Sequence, residues 1–196
     1  MNDKLEKEFS YISVIDTITY KFLKRARRLK EEFENLPTSP SFDDWNWMEQ
    51  FTREGNGLNI CCGDFPIGGA YGVDAAFVLG TFEGLVCESA INLPHLDNNT
   101  CDYIVSNYLD GLPSPIIALR EWNRILKPKG TLAIICRNAD DEFYQDTELG
   151  PLKNKKRLIC FTPKIMRFYL TRTNYTAIKI ELGNGTIKVL AKKGEA

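Results

Sequence analysis

Leu58-Asn-Ile-Cys-Cys-Gly63 and, eleven residues beyond that glycine, the end of Tyr71-Gly-Val-Asp74 are the stretches that decide the fold. The first reads as a strand, Leu58 to Cys62, running into a glycine turn. The second closes a strand, Ala70 to Val73, with a carboxylate. This is the logic of a nucleoside-binding sheet. A glycine lets the backbone approach a ligand closely, and an acid at the tip of the neighbouring strand accepts hydrogen bonds from both ribose hydroxyls. Working outward, three more short apolar runs follow: Gly84 to Cys87, Tyr103 to Ser106 and Thr131 to Cys136. Near-continuous apolar strands of this kind suit a parallel sheet covered on both faces.

Between the fourth and fifth runs the period changes to helical. Ser114 stands as the cap and Pro115 takes the first turn. Ile116, Leu119, Trp122, Ile125 and Leu126 form the buried stripe. Lys127-Pro128-Lys129-Gly130 is read as the stop and turn into the next strand. An acidic loop, Asp140 to Glu148, has no periodicity. Thr162-Pro163 then opens a helix with Ile165, Met166, Tyr169 and Leu170 on one side. At the end, Thr176 to Leu182 and Thr186 to Ala191 alternate in polarity around Gly183-Asn184-Gly185, which predicts an antiparallel hairpin.

Before Gly57 the pattern differs. Tyr11, Ile15, Ile18, Phe22, Ala26, Leu29 and Phe33 recur at helical steps within Lys4 to Asn35. Six of the ten residues from Lys21 to Lys30 are basic, flanked by Glu31, Glu32 and Glu34, which reads as a solvated face. Leu36 to Ser41 is a break, and a short helix from Asp43 to Phe51 carries Trp45, Trp47 and Met48. The chain therefore divides into an N-terminal helical extension, 1–56, and an α/β domain, 57–196.

Composition sets bounds on function. With 25 basic and 26 acidic residues the 196-residue chain carries a net charge of −1, which excludes a histone-like nucleic-acid coat. No apolar run suits a membrane span and no secretory leader pattern opens the chain, so a cytoplasmic protein without membrane insertion is expected. Cys61, Cys62, Cys87, Cys101, Cys136 and Cys160 contain no C-x-x-C pair, and there is one histidine. They are read as reduced thiols, mostly in the core, and no metal site is expected.

The stretch Ser89-Ala90-Ile-Asn92-Leu93-Pro94-His-Leu-Asp97-Asn98-Asn99-Thr-Cys-Asp102-Tyr-Ile-Val-Ser-Asn107 resembles the class I S-adenosylmethionine-dependent methyltransferases of the type-11-like group. In that group the third strand is typically followed by Asp-Ala-x-x-Leu-Pro-Phe, then Asp-Asn-x-Phe-Asp and a fourth apolar strand. Leu119-Arg-Glu-Trp-Asn-Arg-Ile-Leu-Lys-Pro-Lys-Gly130 is similar to the group's Arg-x-Leu-Lys-Pro-Gly-Gly helix and turn. The resemblance runs from Leu58 to Lys192. It implies a Rossmann-like, mostly parallel seven-stranded sheet in the order 3-2-1-4-5-7-6, the last two strands forming the antiparallel hairpin. The sequence departs from the group in two respects. The stretches after the first two strands are shorter than the dozen or more residues a parallel crossover usually takes, and Ser89 stands where an aspartate is more common.

The resemblance further implies S-adenosyl-L-methionine as cofactor. The backbone around Cys61, Gly63 and Asp64 would hold its methionine end and Asp74 its ribose. Ser89 and Ala90 would flank the adenine, and Asn107 and Tyr108 would lie under the sulfonium. A methyl sulfonium is already activated, so transfer is an in-line displacement needing position and desolvation above all. His95, Tyr108 and Asp110 are candidates near the acceptor. None is named as a base, and His95 is read first as a packing imidazole. The acceptor expected is a small molecule or glycan. A nucleic acid is not favoured, although Pro151 to Ile180 holds eight Lys or Arg and no acid. The rival reading is a non-catalytic cofactor sensor or scaffold on the same fold. The N-terminal stripe needs a partner surface, the sheet or a second chain, which leaves a homodimer open. Trp45, Trp47 and Met48 are expected as an apolar lid on the acceptor pocket.

Overall fold

The computed structural model describes residues 42–62, 67–73, 85–86, 90–107, 109–140, 159–183 and 185–195. The expected N-terminal helix, the break after it and the acidic loop beyond residue 140 lie outside these, as does Cys87. Among these residues eleven elements follow one another: a helix α1 (Phe42–Glu49), strands β1 (Gly57–Ile60), β2 (Tyr71–Val73), β3 (Leu85–Val86) and β4 (Cys101–Ser106), a 3-10 turn (Leu109–Gly111), helix α2 (Pro115–Ile125), strand β5 (Leu126–Arg137), helix α3 (Pro163–Arg172), and strands β6 (Tyr175–Leu182) and β7 (Thr186–Lys193). Among them no helix is long and apolar enough to cross a membrane.

The strands form one seven-stranded sheet in the order β3-β2-β1-β4-β5-β7-β6, as the resemblance implies. Pairs β1–β2, β1–β4, β2–β3 and β4–β5 are parallel, and β7 runs antiparallel to both β5 and β6. The hairpin closes with the Gly183 N–H donating to the Thr186 carbonyl at 2.8 Å. Asn184 lies outside the described residues.

The sheet is buried on both faces because alternate residues of β4 and β5 are apolar in both directions. On one face Ile104, Leu132 and Ile134 pack with Leu119 and Trp122 of α2 and Met166 and Leu170 of α3. On the other, Tyr103, Val105, Ala133 and Ile135 pack with Met48 and Ile67. Helix α1 therefore belongs to the core. Met48 is fully buried in it, where a lid was expected. A buried ion pair ties α1 to the C-terminal strand, the Lys188 ammonium lying 2.7 Å from the Asp44 carboxylate and 5.9 Å from the centre of the Trp47 ring.

Three local readings change. Leu126 leaves the helix: its N–H still bonds the Trp122 carbonyl, but its backbone is extended and it pairs with Cys101 as the first residue of β5. Lys127-Pro128-Lys129-Gly130 is then a bulge inside β5 and not a turn before it. The register jumps there, with Lys129 in the left-handed region at φ 64°. Ile165 is exposed, while Phe161, just before the Thr162 cap, is fully buried with Met166 and Leu170.

Gly57 opens β1 directly against β4, and a Cβ built there would fall on the Tyr103 carbonyl oxygen and ring. Gly57→Ala should cost about 3 kcal/mol or more, the overpacking of a site with no room to yield. Gly68→Ala, whose Cβ would meet only the end of the Glu49 side chain, should be close to neutral. Urea unfolding of the two variants checks this, and equal midpoints would contradict the packing described.

Candidate functional site

The parallel registers set the candidate site. Ile60 pairs with Val73 on one side and Ser106 on the other, and Val73 pairs with Val86. The carboxyl ends of β1 to β4 therefore lie along one edge. The strand order reverses between β1 and β4, since β2 and β3 continue to one side and β5 to the other. At such a switch point the loops diverge and leave a crevice outside the strand ends, where open α/β sheets bind ligands. Cys61 leaves β1 and Asn107 leaves β4 on either side of it.

The first wall of the crevice is the loop after β1. Cys61 turns the chain in the left-handed region at φ 58°, and its N–H donates to the Val73 carbonyl at 2.7 Å. That N–H is committed to the sheet, so it is removed from the donors expected for the methionine end. The loop returns at Ile67, whose N–H donates to the Asn59 side-chain oxygen at 2.9 Å. The amide nitrogen of Asn59 faces the Val105 carbonyl at 3.4 Å. Beyond Ile67, the Gly69 carbonyl accepts from the Tyr103 hydroxyl at 2.5 Å and the Gly68 carbonyl accepts from Thr52 Oγ1 at 2.7 Å. Gly63 and Asp64, inside the loop, lie outside the described residues. So do Asp74, Ser89 and Tyr108.

The second wall is the segment after β3. Ala90 is buried, and its carbonyl accepts from the Trp122 indole N–H at 2.7 Å. A buried Trp needs such a partner. Beside Trp122 on α2, Glu121 accepts from the Leu93 N–H at 2.8 Å, and Arg124 donates to the carbonyls of Leu93 at 3.0 Å and Leu96 at 2.7 Å. Glu121 and Arg124 also pair with each other at 2.8 Å. Arg124's hydrogen bond, helped by the Leu93 N–H, holds the Glu121 carboxyl below its ordinary value. Helix α2 thus grips residues 90–96 from beneath, Trp122 at the crevice and Glu121 and Arg124 further on, toward the end where β1 and β4 begin.

Ser106, the last residue of β4, is fully buried, and its hydroxyl has no hydrogen-bond partner among the described residues. Next to it the 3-10 turn carries Asp110, which is buried. Its carbonyl accepts from the Ile159 N–H at 3.1 Å, and its carboxylate stands 3.5 Å from the Arg137 N–H. Burial, and then the Asp110 charge, pushes the nearby Cys160 thiol up. Asn138 forms a parallel bridge with Phe161. Three segments, 109–111, 137–140 and 159–161, thus meet beyond the ends of β4 and β5.

His95 is not part of this edge. It is exposed, and it lines an apolar cleft of about 250 Å³ with Asn56, Gly57, Thr100 and Cys101, where β1 and β4 begin. It is neither a core imidazole nor a candidate base for chemistry at the strand ends. Asn59, Glu121 and Arg124 were absent from the expected site. A polar residue in the middle of an apolar strand was the available signal for Asn59.

Comparison with known proteins agrees with this geometry. Residues 71–134 match the family model described as "Methyltransferase domain". No curated protein gives a significant match. Among solved structures, the chain is similar to a SAM-dependent methyltransferase from Archaeoglobus fulgidus at 16% identity and TM-score 0.62, covering 76% of this chain and 90% of that one. It is similar to another from Aquifex aeolicus at 19% identity and TM-score 0.60, covering 83% and 96%. A [4+2]-cyclase, SpnF, shares the fold at 13% identity and TM-score 0.59, covering 78% and 80%. The chain has the class I S-adenosylmethionine-dependent methyltransferase fold and carries the segment that the methyltransferase family model describes.

Because the folded Glu121 carboxyl titrates below its ordinary 4.5, its bonds stabilise the fold fully above that range. Their contribution fades as pH falls through the lower folded value. Glu121→Gln should therefore lower the thermal midpoint at neutral pH, with the gap to the parent closing as pH falls below the ordinary 4.5 and through the lower folded value. A gap that stays constant into acid would show that the Glu121 charge is not what holds residues 93–96.

Proposed function

We propose that this chain is an S-adenosyl-L-methionine-dependent methyltransferase acting on a small molecule or glycan. The observation that carries the reading is the switch point between β1 and β4, whose two walls are each pinned by a buried side chain, Asn59 on one and Trp122 on the other. The residues fit a nucleoside carrying an amino acid. Ser106 brings to the strand ends a buried hydroxyl without a partner among the described residues, and the grip of Trp122 on the Ala90 carbonyl fixes the segment in which the Ala90 N–H would meet the adenine edge.

In this reading Asp74 accepts from the ribose hydroxyls and Ser89 lies beside the adenine. The loop of Cys61, Gly63 and Asp64 holds the methionine end through its remaining backbone groups. Asn107 and Tyr108 border the reacting methyl. Bound there, the cofactor supplies a methyl group already activated on a sulfonium. The protein's part is to hold the acceptor in line and keep water out. Asp110, buried in the 3-10 turn after β4 with its carboxylate at the Arg137 N–H, holds the floor on the acceptor side. The trimmed crossover and the absence of a strongly basic total charge favour a compact acceptor over a nucleic acid. A cytoplasmic setting belongs to the same reading, as does 1–56 as an N-terminal extension whose helix α1 packs on the sheet.

A second reading, a non-catalytic sensor or scaffold, is favoured by the shortened stretch between β1 and β2 and by Ser89. The two separate in one titration series. Under the first reading, S-adenosylhomocysteine binds the parent chain, and Asp74→Ala loses about 2–3 kcal/mol of that binding, the worth of a charge-assisted contact to two hydroxyls. Methyl transfer from labelled cofactor to a panel of hydroxyl and amine acceptors follows. Binding without transfer to any acceptor supports the sensor, and absence of binding overturns the methyltransferase and leaves the scaffold.

A further inference from the structure

Strand β6 is the outermost strand of the sheet, and one of its long edges faces no other strand among the described residues. Most of it is exposed, Leu182 to 65%. Unpaired edges of this kind invite pairing with another chain and are commonly blunted by charges that repel a second copy. Here the charges do the reverse. We propose that the outer edge of β6 pairs antiparallel with β6 of a second copy of this chain, centred on Ile180, giving a two-fold dimer with a continuous fourteen-stranded sheet.

The register follows from the hairpin. Gly183 and Thr186 form a hydrogen-bonded pair, and the pairing continues as Leu182 with Ile187, Glu181 with Lys188, Ile180 with Val189 and Lys179 with Leu190. Hydrogen-bonded and non-bonded pairs alternate in an antiparallel ladder. Glu181 and Lys179 therefore bond inward to β7, while Ile180 and Leu182 turn their N–H and C=O groups to the open edge. A pair centred on Ile180 lets the two Ile180 residues exchange both bonds.

The same centre sets Lys179 of each copy opposite Glu181 of the other, twice by symmetry. Both residues are exposed, and neither has an ion pair among the described residues. On the other face it sets Ile178 opposite Leu182, and Ile180 opposite itself. Directly opposed residues in an antiparallel pair are close enough for such contacts to count. The Ile178 carbonyl already takes a donor from outside the ladder, the Arg167 guanidinium at 3.3 Å. In the dimer the Leu182 N–H of the second copy replaces it. Exposed Leu182 would then lie near Arg167 of α3 in the other copy. Shifting the centre by two residues to either side opposes Lys179 to Ala177 or Glu181 to Gly183, so the charges select one register.

Sedimentation velocity of the full chain over a wide concentration range tests this. The parent chain should dimerise reversibly. Lys179→Glu alone and Glu181→Lys alone each oppose like charges at both ends of the pair, and each should weaken the dimer about tenfold or more. The double variant Lys179→Glu with Glu181→Lys should restore it, with unchanged circular dichroism throughout. A monomeric parent chain overturns the proposal. So does a dimer that survives both single reversals, and so does a double variant that stays as weak as the singles.

Discussion

Asn59 sits in the middle of a four-residue central strand with its amide buried and bonded on both sides. Its oxygen holds the point where the loop after β1 comes back, and its nitrogen faces the β4 backbone. A buried amide is costly unless satisfied, so this position couples two things. The loop can close only where Ile67 reaches the amide, and β1 can sit only where Val105 reaches it. Gly57 removes the last freedom by bringing β1 against the Tyr103 ring and carbonyl. The crevice at the strand ends takes its shape from these contacts.

The shortened connection between β1 and β2 has a structural consequence. A parallel crossover usually carries a helix that covers one face of the sheet. Here the face beneath Tyr103, Val105, Ala133 and Ile135 is covered by Met48 of α1 and by Ile67. Helix α1 comes from before the first strand, and it is locked to the last by the Lys188–Asp44 pair. Cover is thus shared between a helix from outside the crossover and Ile67 within it. The opposite face is conventional, with α2 and α3 filling it. Helix α2 has two duties. Trp122, Leu119 and Ile125 point into the core, while Glu121, Trp122 and Arg124 hold residues 90–96.

Much of this was legible in the sequence because it rests on local signals. Pro115 and the Trp122 stripe mark α2, Thr162-Pro163 marks α3, and the Gly183–Gly185 turn marks the hairpin. The sheet order came from the resemblance. What was not legible depends on contacts between distant residues. Lys127-Pro128-Lys129-Gly130 has the composition of a turn, yet Leu126 before it pairs with Cys101, so the same residues become a bulge. Ile165 fits the apolar period of α3, yet it is exposed while Phe161, outside the helix, is buried. His95 follows Leu93-Pro94 where an aromatic is usual, and only the tertiary fold shows that it lies where strands begin. Cys61 was a reasonable donor until β2 claimed its N–H.

The central claim is that a nucleoside cofactor binds at the carboxyl ends of β1 and β2, between the loop held by Asn59 and the segment held by Trp122. A crystal structure grown with S-adenosylhomocysteine tests this most directly. The account predicts the ribose hydroxyls on Asp74, the adenine beside Ala90, and the homocysteine end in the loop of Gly63 and Asp64. Density for the ligand in the cleft beside His95, where β1 and β4 begin, would contradict it.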